Sequence, residues 1–122
     1  MADTNFDSIV LDTGGITSAT GIAITSGGIT LNGVTITVVG EASETYDAGS
    51  IADGDEEVGE LTVTGAALGD YVLASHSIDV ADLALTAAVT AADTVTYQLL
   101  NNTGGAVDLA SGTVKVLVIH AA

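Results

Sequence analysis

The sequence predicts an all-β protein: a β-sandwich, jelly-roll-like, over residues 43–122, preceded by an extended or hairpin arm over residues 1–42. Three observations predict it. Thr, Val, Ile and Gly dominate a 122-residue chain that has no proline, and these residues favour strands and turns over helix. Short runs of period-2 alternation are separated by Gly, Asn and Asp turn signals. Charge is also partitioned: Thr13 to Gly40 contains no charged residue, whereas 13 of the 16 acidic side chains lie at Glu41 or beyond.

The arm carries seven Gly, seven Thr and five Ile between residues 13 and 40. The unit G-G-I-T occurs at 14–17 and again at 27–30, and each Gly pair suits a two-residue turn because Gly reaches positive φ without steric cost. Asn32-Gly33 is the stronger signal and predicts a type I′ hairpin. In that register Leu31 faces Val34 and Ile29 faces Ile36, all on one face, with Thr30 and Thr35 on the other. The alternative is an extended arm reaching about 90 Å at roughly 3.3 Å per residue. The stretch is apolar enough to demand burial and too thin to build its own core. Ile16, Ile22, Ile24, Ile29, Leu31, Val34, Ile36 and Val38 are therefore the expected interface, against sister copies or a large assembly.

Five strands are expected in the remainder. Glu60 to Thr64 alternates, as does Thr94 to Leu99, with Val95, Tyr97 and Leu99 inward; Tyr71 to Ser77 is a further candidate strand. Leu83 to Thr90 is rich in Ala and Leu, which suits helix, but Leu83, Leu85, Ala87 and Val89 fall at period 2 and favour a strand. Thr113 to Ile119 places Val114, Val116 and Val118 on one face and Lys115, Leu117 and Ile119 on the other. With both faces partly apolar, it should be a central strand or lie at a subunit contact. Turns are expected at Gly69-Asp70, Ala91-Ala92-Asp93 and Asn101 to Gly105.

Composition bounds the function. A chain this long buries roughly 65% of its unfolded surface, but with 3% aromatic residues the core must be aliphatic. One Lys and no Arg against 16 acids give a net charge of −15. Nucleic-acid binding needs cations to neutralise phosphates, so nucleic acid is excluded as a direct partner, and anionic membrane surfaces are disfavoured. No cysteine is present, which removes disulfide and thiolate chemistry. No apolar run reaches the roughly 18–20 residues that span a bilayer. The acidic start M-A-D-T-N-F-D lacks the basic region of a signal peptide, and the chain is expected to work where it is made or to leave by a route that needs no signal.

Candidate chemistry is sparse. Asp53, Asp55, Glu56 and Glu57 crowd one acidic loop whose oxygens suit a hard cation, without EF-hand spacing; a solvated turn is the plainer reading. Ser75, His76, Ser77 and Asp79 are residue types of nucleophilic catalysis, but neighbours on a strand point to opposite faces, so His76 reads as a half-buried strand histidine. His120 reads as a terminal polar residue. Lys115 should form an ion pair within the subunit or across an interface. No G-K-[ST] accompanies the Gly pairs, so they are not phosphate loops. Asn101-Asn102-Thr103 fits a glycosylation pattern and reads as a loop. No catalytic residue, metal or cofactor is assigned.

Two strings, T-V-T-G-A-A-L-G-D-Y-V-L-A-S (62–75) and A-A-D-T-V-T-Y-Q-L-L-N-N-T-G-G-A-V-D-L-A-S-G-T-V (91–114), resemble structural proteins of tailed-bacteriophage virions. The resemblance implies no enzyme. It implies a capsid decoration (cement) protein, commonly a homotrimer, that binds the major capsid protein and stabilises capsomer junctions. Its expected place is the virion surface, after synthesis in the host cytoplasm. The alternative is a tail-fibre or tail-tip component, or a lectin-like β-sandwich binding the host surface. Small size without a repeat shaft favours decoration, and four aromatic residues (Phe6, Tyr46, Tyr71, Tyr97) offer little for sugar stacking.

Overall fold

The computed structural model describes residues 23–24 and 26–122. Nine strands follow in chain order: β1 (Ile29–Leu31), β2 (Val34–Tyr46), β3 (Ser50–Ile51), β4 (Glu56–Thr62), β5 (Tyr71–His76), β6 (Ala84–Ala91), β7 (Thr94–Leu100), β8 (Val107–Asp108) and β9 (Gly112–Ala121). Every pairing is antiparallel, and no helix occurs among the described residues. The predicted all-β class is what the chain adopts. Sheet A has the order β1-β2-β9-β5, sheet C the order β4-β7-β6, and β3 and β8 form a two-stranded ribbon. Sheets A and C pack face to face as a sandwich.

The hairpin forms where Asn32-Gly33 predicts it. Both residues sit in the left-handed region, at φ 49° and 83°, as a type I′ turn requires. Ile29 faces Ile36, Thr30 faces Thr35 and Leu31 faces Val34. The Thr30 and Thr35 hydroxyls meet at 2.7 Å on the opposite face.

The division expected at residues 42 and 43 falls inside β2, which is continuous from Val34 to Tyr46. The arm's hairpin and the sandwich thus share a strand. A register shift between Val38 and Gly40 marks a β-bulge at Val39. Val34, Ile36 and Val38 face outward before it; Ala42, Glu44 and Tyr46 face the interior after it. One extra residue reverses which face the even positions occupy.

The core is two facing rows. Val114, Val116 and Val118 of β9 are wholly buried, as are Val95, Tyr97 and Leu99 of β7. β9 lies between β2 and β5, and β7 between β4 and β6, so each row belongs to the central strand that its two-sided or alternating pattern predicts. Leu61, Val63, Ala66 and Val89 complete this cluster. A second cluster of Ala48, Ile51, Leu83, Leu99 and Leu109 closes one end under the β3–β8 ribbon. Each fully buried Val or Leu contributes about 1.5–3 kcal/mol.

Tyr97 is the largest wholly buried side chain. Its partner in the ladder is Gly59, and a Cβ at 59 would fall on the Tyr97 ring. The missing side chain lets the ring lie across β4, so that its hydroxyl donates to Glu44 Oε1 on the opposite sheet at 2.5 Å. Tyr46 makes the reverse crossing, from β2 to Glu57 Oε2 on β4 at 2.9 Å. The two rings meet edge to face with centroids 5.7 Å apart.

Asn101 is the one wholly buried polar side chain among the described residues. Its Nδ2 donates to the Ile51 and Gly105 carbonyls at 2.8 and 2.7 Å. Its Oδ1 accepts from the Thr103 N–H and hydroxyl at 2.9 and 2.8 Å. The expected loop is present, and its first residue is an internal anchor rather than an exposed acceptor.

Two substitutions test this framework by thermal or urea unfolding. Gly59→Ala should displace the Tyr97 ring and cost about 2 kcal/mol. Asn101→Ala should remove the side-chain partners of the Ile51 carbonyl and the Thr103 N–H, leaving the Gly105 carbonyl only the Thr103 hydroxyl, and cost about 2 kcal/mol. Unchanged stability in either would contradict the corresponding role.

Candidate functional site

The feature that stands out chemically is the outer face of sheet A. β1 presents Ile29 and Leu31, and β2 presents Val34, Ile36 and Val38 up to the bulge. β9 adds Leu117 and Ile119. β5 adds Tyr71, in register with Ile119, and Leu73, in register with Leu117. Seven of these nine side chains are exposed, from 38% at Ile36 to 64% at Tyr71; Leu117 and Ile119 are half-buried between them. Ile24, 52% exposed, joins Ile29, Ile36 and Val38 around an open groove of about 420 Å³.

The patch has a polar boundary. Beyond Leu117 the rung across three strands is Ser43, Lys115 and Ser75. Lys115 Nζ lies 3.8 Å from Glu41 Oε2, both side chains more than half exposed. This intrasubunit pair is the one expected of the chain's only cation. Glu41 is the single carboxylate on the face among the described residues. The outer face of sheet C is of another character: Glu56, Glu60 and one exposed apolar side chain, Val58, stand among Thr62, Thr86, Thr90, Thr94, Thr96 and Gln98, with Thr90 and Thr96 hydroxyls joined at 2.7 Å.

Of the expected interface residues, Ile29, Leu31, Val34, Ile36 and Val38 come together on this face and Ile24 stands beside it; Ile16 and Ile22 lie outside the described residues. Tyr71 and Leu73 were not among them. Their signal was the alternation of Y-V-L-A-S against a β9 whose second face is apolar, which becomes decisive only once β5 and β9 are known to be neighbours.

The acidic candidates disperse. Only Asp53 to Asp55 form the turn; Glu56 and Glu57 open β4. Asp53 Oδ1 accepts from Gly104 N–H at 2.9 Å, Glu56 from the Gln98 amide and Glu57 from Tyr46. No group of three His, Cys, Asp or Glu side chains converges among the described residues. No family model, curated protein or solved structure matches this chain.

The Ser-His-Asp types are each engaged locally. His76 Nδ1 accepts from Ile78 N–H at 3.3 Å, Ser77 Oγ from Thr113 N–H at 2.8 Å, and Asp79 Oδ1 from Ala81 N–H at 3.0 Å. They form no relay. His120 has a definite partner that its terminal position did not suggest: Nδ1 is 2.6 Å from Asp70 Oδ1. That hydrogen bond, with a second from Ala67 N–H, holds the Asp70 carboxyl below its usual range. Its contribution is present above the ordinary Asp pKa and is lost as pH falls through the lowered one.

Burial pushes the Tyr46 hydroxyl up to about 12, reinforced by the hydrogen bond to Glu57 and the surrounding carboxylates. Tyr97 moves the same way, first through burial and then through Glu44. A folded-state pKa above the unfolded value gives stability that is full below the unfolded pKa, about 10, and lost as pH rises through the folded one. The stability difference between wild type and Tyr46→Phe should therefore narrow between about pH 9 and about pH 12, measured by denaturant unfolding. A gap that stays constant over this range would exclude the shift.

Proposed function

We propose that this chain is a structural protein of a tailed-bacteriophage virion: a capsid decoration protein that assembles as a homo-oligomer, binds the major capsid protein and stabilises capsomer junctions. One observation carries the reading. Eight side chains on and beside the outer face of sheet A, each 38–64% exposed, together leave on the order of 800 Å² of apolar surface in water, beyond the roughly 300–600 Å² typical of a monomer's largest patch. That area fits a surface covered in use, on a chain whose net charge of −15 otherwise keeps partners away.

Further support comes from the build of the rest. The side chains that could do chemistry are engaged in holding turns or crossing the sandwich. The strings at 62–75 and 91–114, which resemble virion proteins, supply nearly all of β5, the whole of β7 and β8, and half the buried apolar core. The role is mechanical: a rigid sandwich adds buried contact to a shell. A tail location differs in number of copies rather than in chemistry.

Counting copies per purified particle by quantitative mass spectrometry tests this directly. Hundreds of copies are expected for shell decoration; a handful would move the protein to the tail, and none would sink the virion reading. In a second measurement, Ile36→Glu should keep its β circular dichroism but lose most of its co-pelleting with empty shells. Full retention of pelleting would remove the hairpin from the contact.

A further inference from the structure

We infer that the outer face of sheet A packs against the same face of a second copy of this chain, sheet on sheet. This rests on reading that face as a contact surface, and it names the occupant. The exposed area, on the order of 800 Å², matches what each partner contributes to a standard stable interface. The face also has the chemistry of a sandwich interior. Its Ile, Leu and Val side chains repeat at every second position on adjacent strands, as on the inner face, and two such faces interdigitate about 10 Å apart.

Charge selects a second copy. Two chains of net charge −15 can approach only where carboxylates are absent, because burying unpaired like charges is prohibitive. The sheet C face and the loops carry acids; among the described residues the outer face of sheet A carries only Glu41, already beside Lys115. That rim pair is self-complementary. When the two faces are related by a two-fold axis, Lys115 of each copy can reach Glu41 of the other, as an isologous contact requires. Backing gives a third argument. Residues 29–38 of the β1–β2 hairpin join neither core cluster, β2 entering the core only from Val39 onward, and a two-stranded ribbon is marginal in water. A second sheet laid over Ile29, Leu31, Val34 and Ile36 gives the hairpin the packing it lacks within one subunit.

The test is sedimentation velocity on the full chain from about 1 to about 100 μM, at about 0.05 and about 0.5 M salt. Wild type should associate, and more tightly in high salt, because screening weakens the repulsion between like-charged copies. Leu73→Glu and Val38→Glu alter exposed positions and should keep the fold by circular dichroism. Each should weaken association about a hundredfold by placing a carboxylate in the apolar contact. Lys115→Glu should weaken it too, and adding Glu41→Lys should restore it. A wild type that stays monomeric in both salts overturns the inference, as does a Leu73→Glu protein that associates like wild type. Pelleting with empty shells separates the two readings. Association through this face without pelleting leaves the inference standing and removes the virion role. A monomeric wild type that pellets, while Leu73→Glu does not, makes the face a seat on the shell: the virion role stands and the inference falls.

Discussion

The position of one ring organises this protein. Among the described residues Tyr97 is the only wholly buried aromatic side chain, and it is held by a vacancy, a partner and a neighbour. Gly59 provides the vacancy, Glu44 the hydrogen-bond acceptor across the sandwich, and Tyr46 the edge-to-face contact. Tyr46 returns the crossing to Glu57. Two carboxylates that would oppose burial become the acceptors that bind the sheets along the β2–β4 side. Valines alone would stack these sheets at many registers; the crossed tyrosines and their acceptors specify one, as satisfied buried polar groups do.

From that registered core the two outer faces follow with opposite characters. The even positions of β2 point inward only after the bulge, so the same strand supplies Tyr46 to the interior and Ile36 and Val38 to the exterior. Over its hairpin half sheet A is apolar on the outer side and backed by Thr30, Thr35 and Thr37 on the other, while sheet C faces water mostly with Thr and Glu. The asymmetry is built into the alternation, and it gives the sandwich one side suited to contact and one suited to solvent.

Much of this was legible in the residues, and the gaps have physical causes. Asn32-Gly33 gave the hairpin and its register because few backbones other than I′ suit that pair. Val95/Tyr97/Leu99 and Val114/Val116/Val118 gave the core rows because period 2 is unambiguous when one face is wholly apolar. Strand β2 beyond Gly40 was not legible. E-A-S-E-T-Y places Glu44 at an interior position, which alternation alone reads as solvent, and only Tyr97, 53 residues away, makes it an interior residue. Glu56 and Glu57 read as loop for the same reason, since their ladder partners Leu100 and Leu99 and the Tyr46 hydroxyl on Glu57 are all distant in the chain. The His120–Asp70 pair joins residues 50 apart, and proximity of that kind is a product of topology. Of the outer face, the hairpin half was visible as an uncharged run, whereas Tyr71 and Leu73 required the β5–β9 pairing.

The continuity of β2 has a mechanical consequence. Its ten paired positions with β9 run from Ile36 to Tyr46, and antiparallel hydrogen bonds lie perpendicular to the strands. Tension applied to the hairpin along its own axis therefore loads the whole ladder in shear, and all rungs must yield together. The same pull directed away from the sheet would peel them one after another. The fold is strong along one direction and weak across it, so the orientation in which the hairpin is gripped sets how much load the subunit bears.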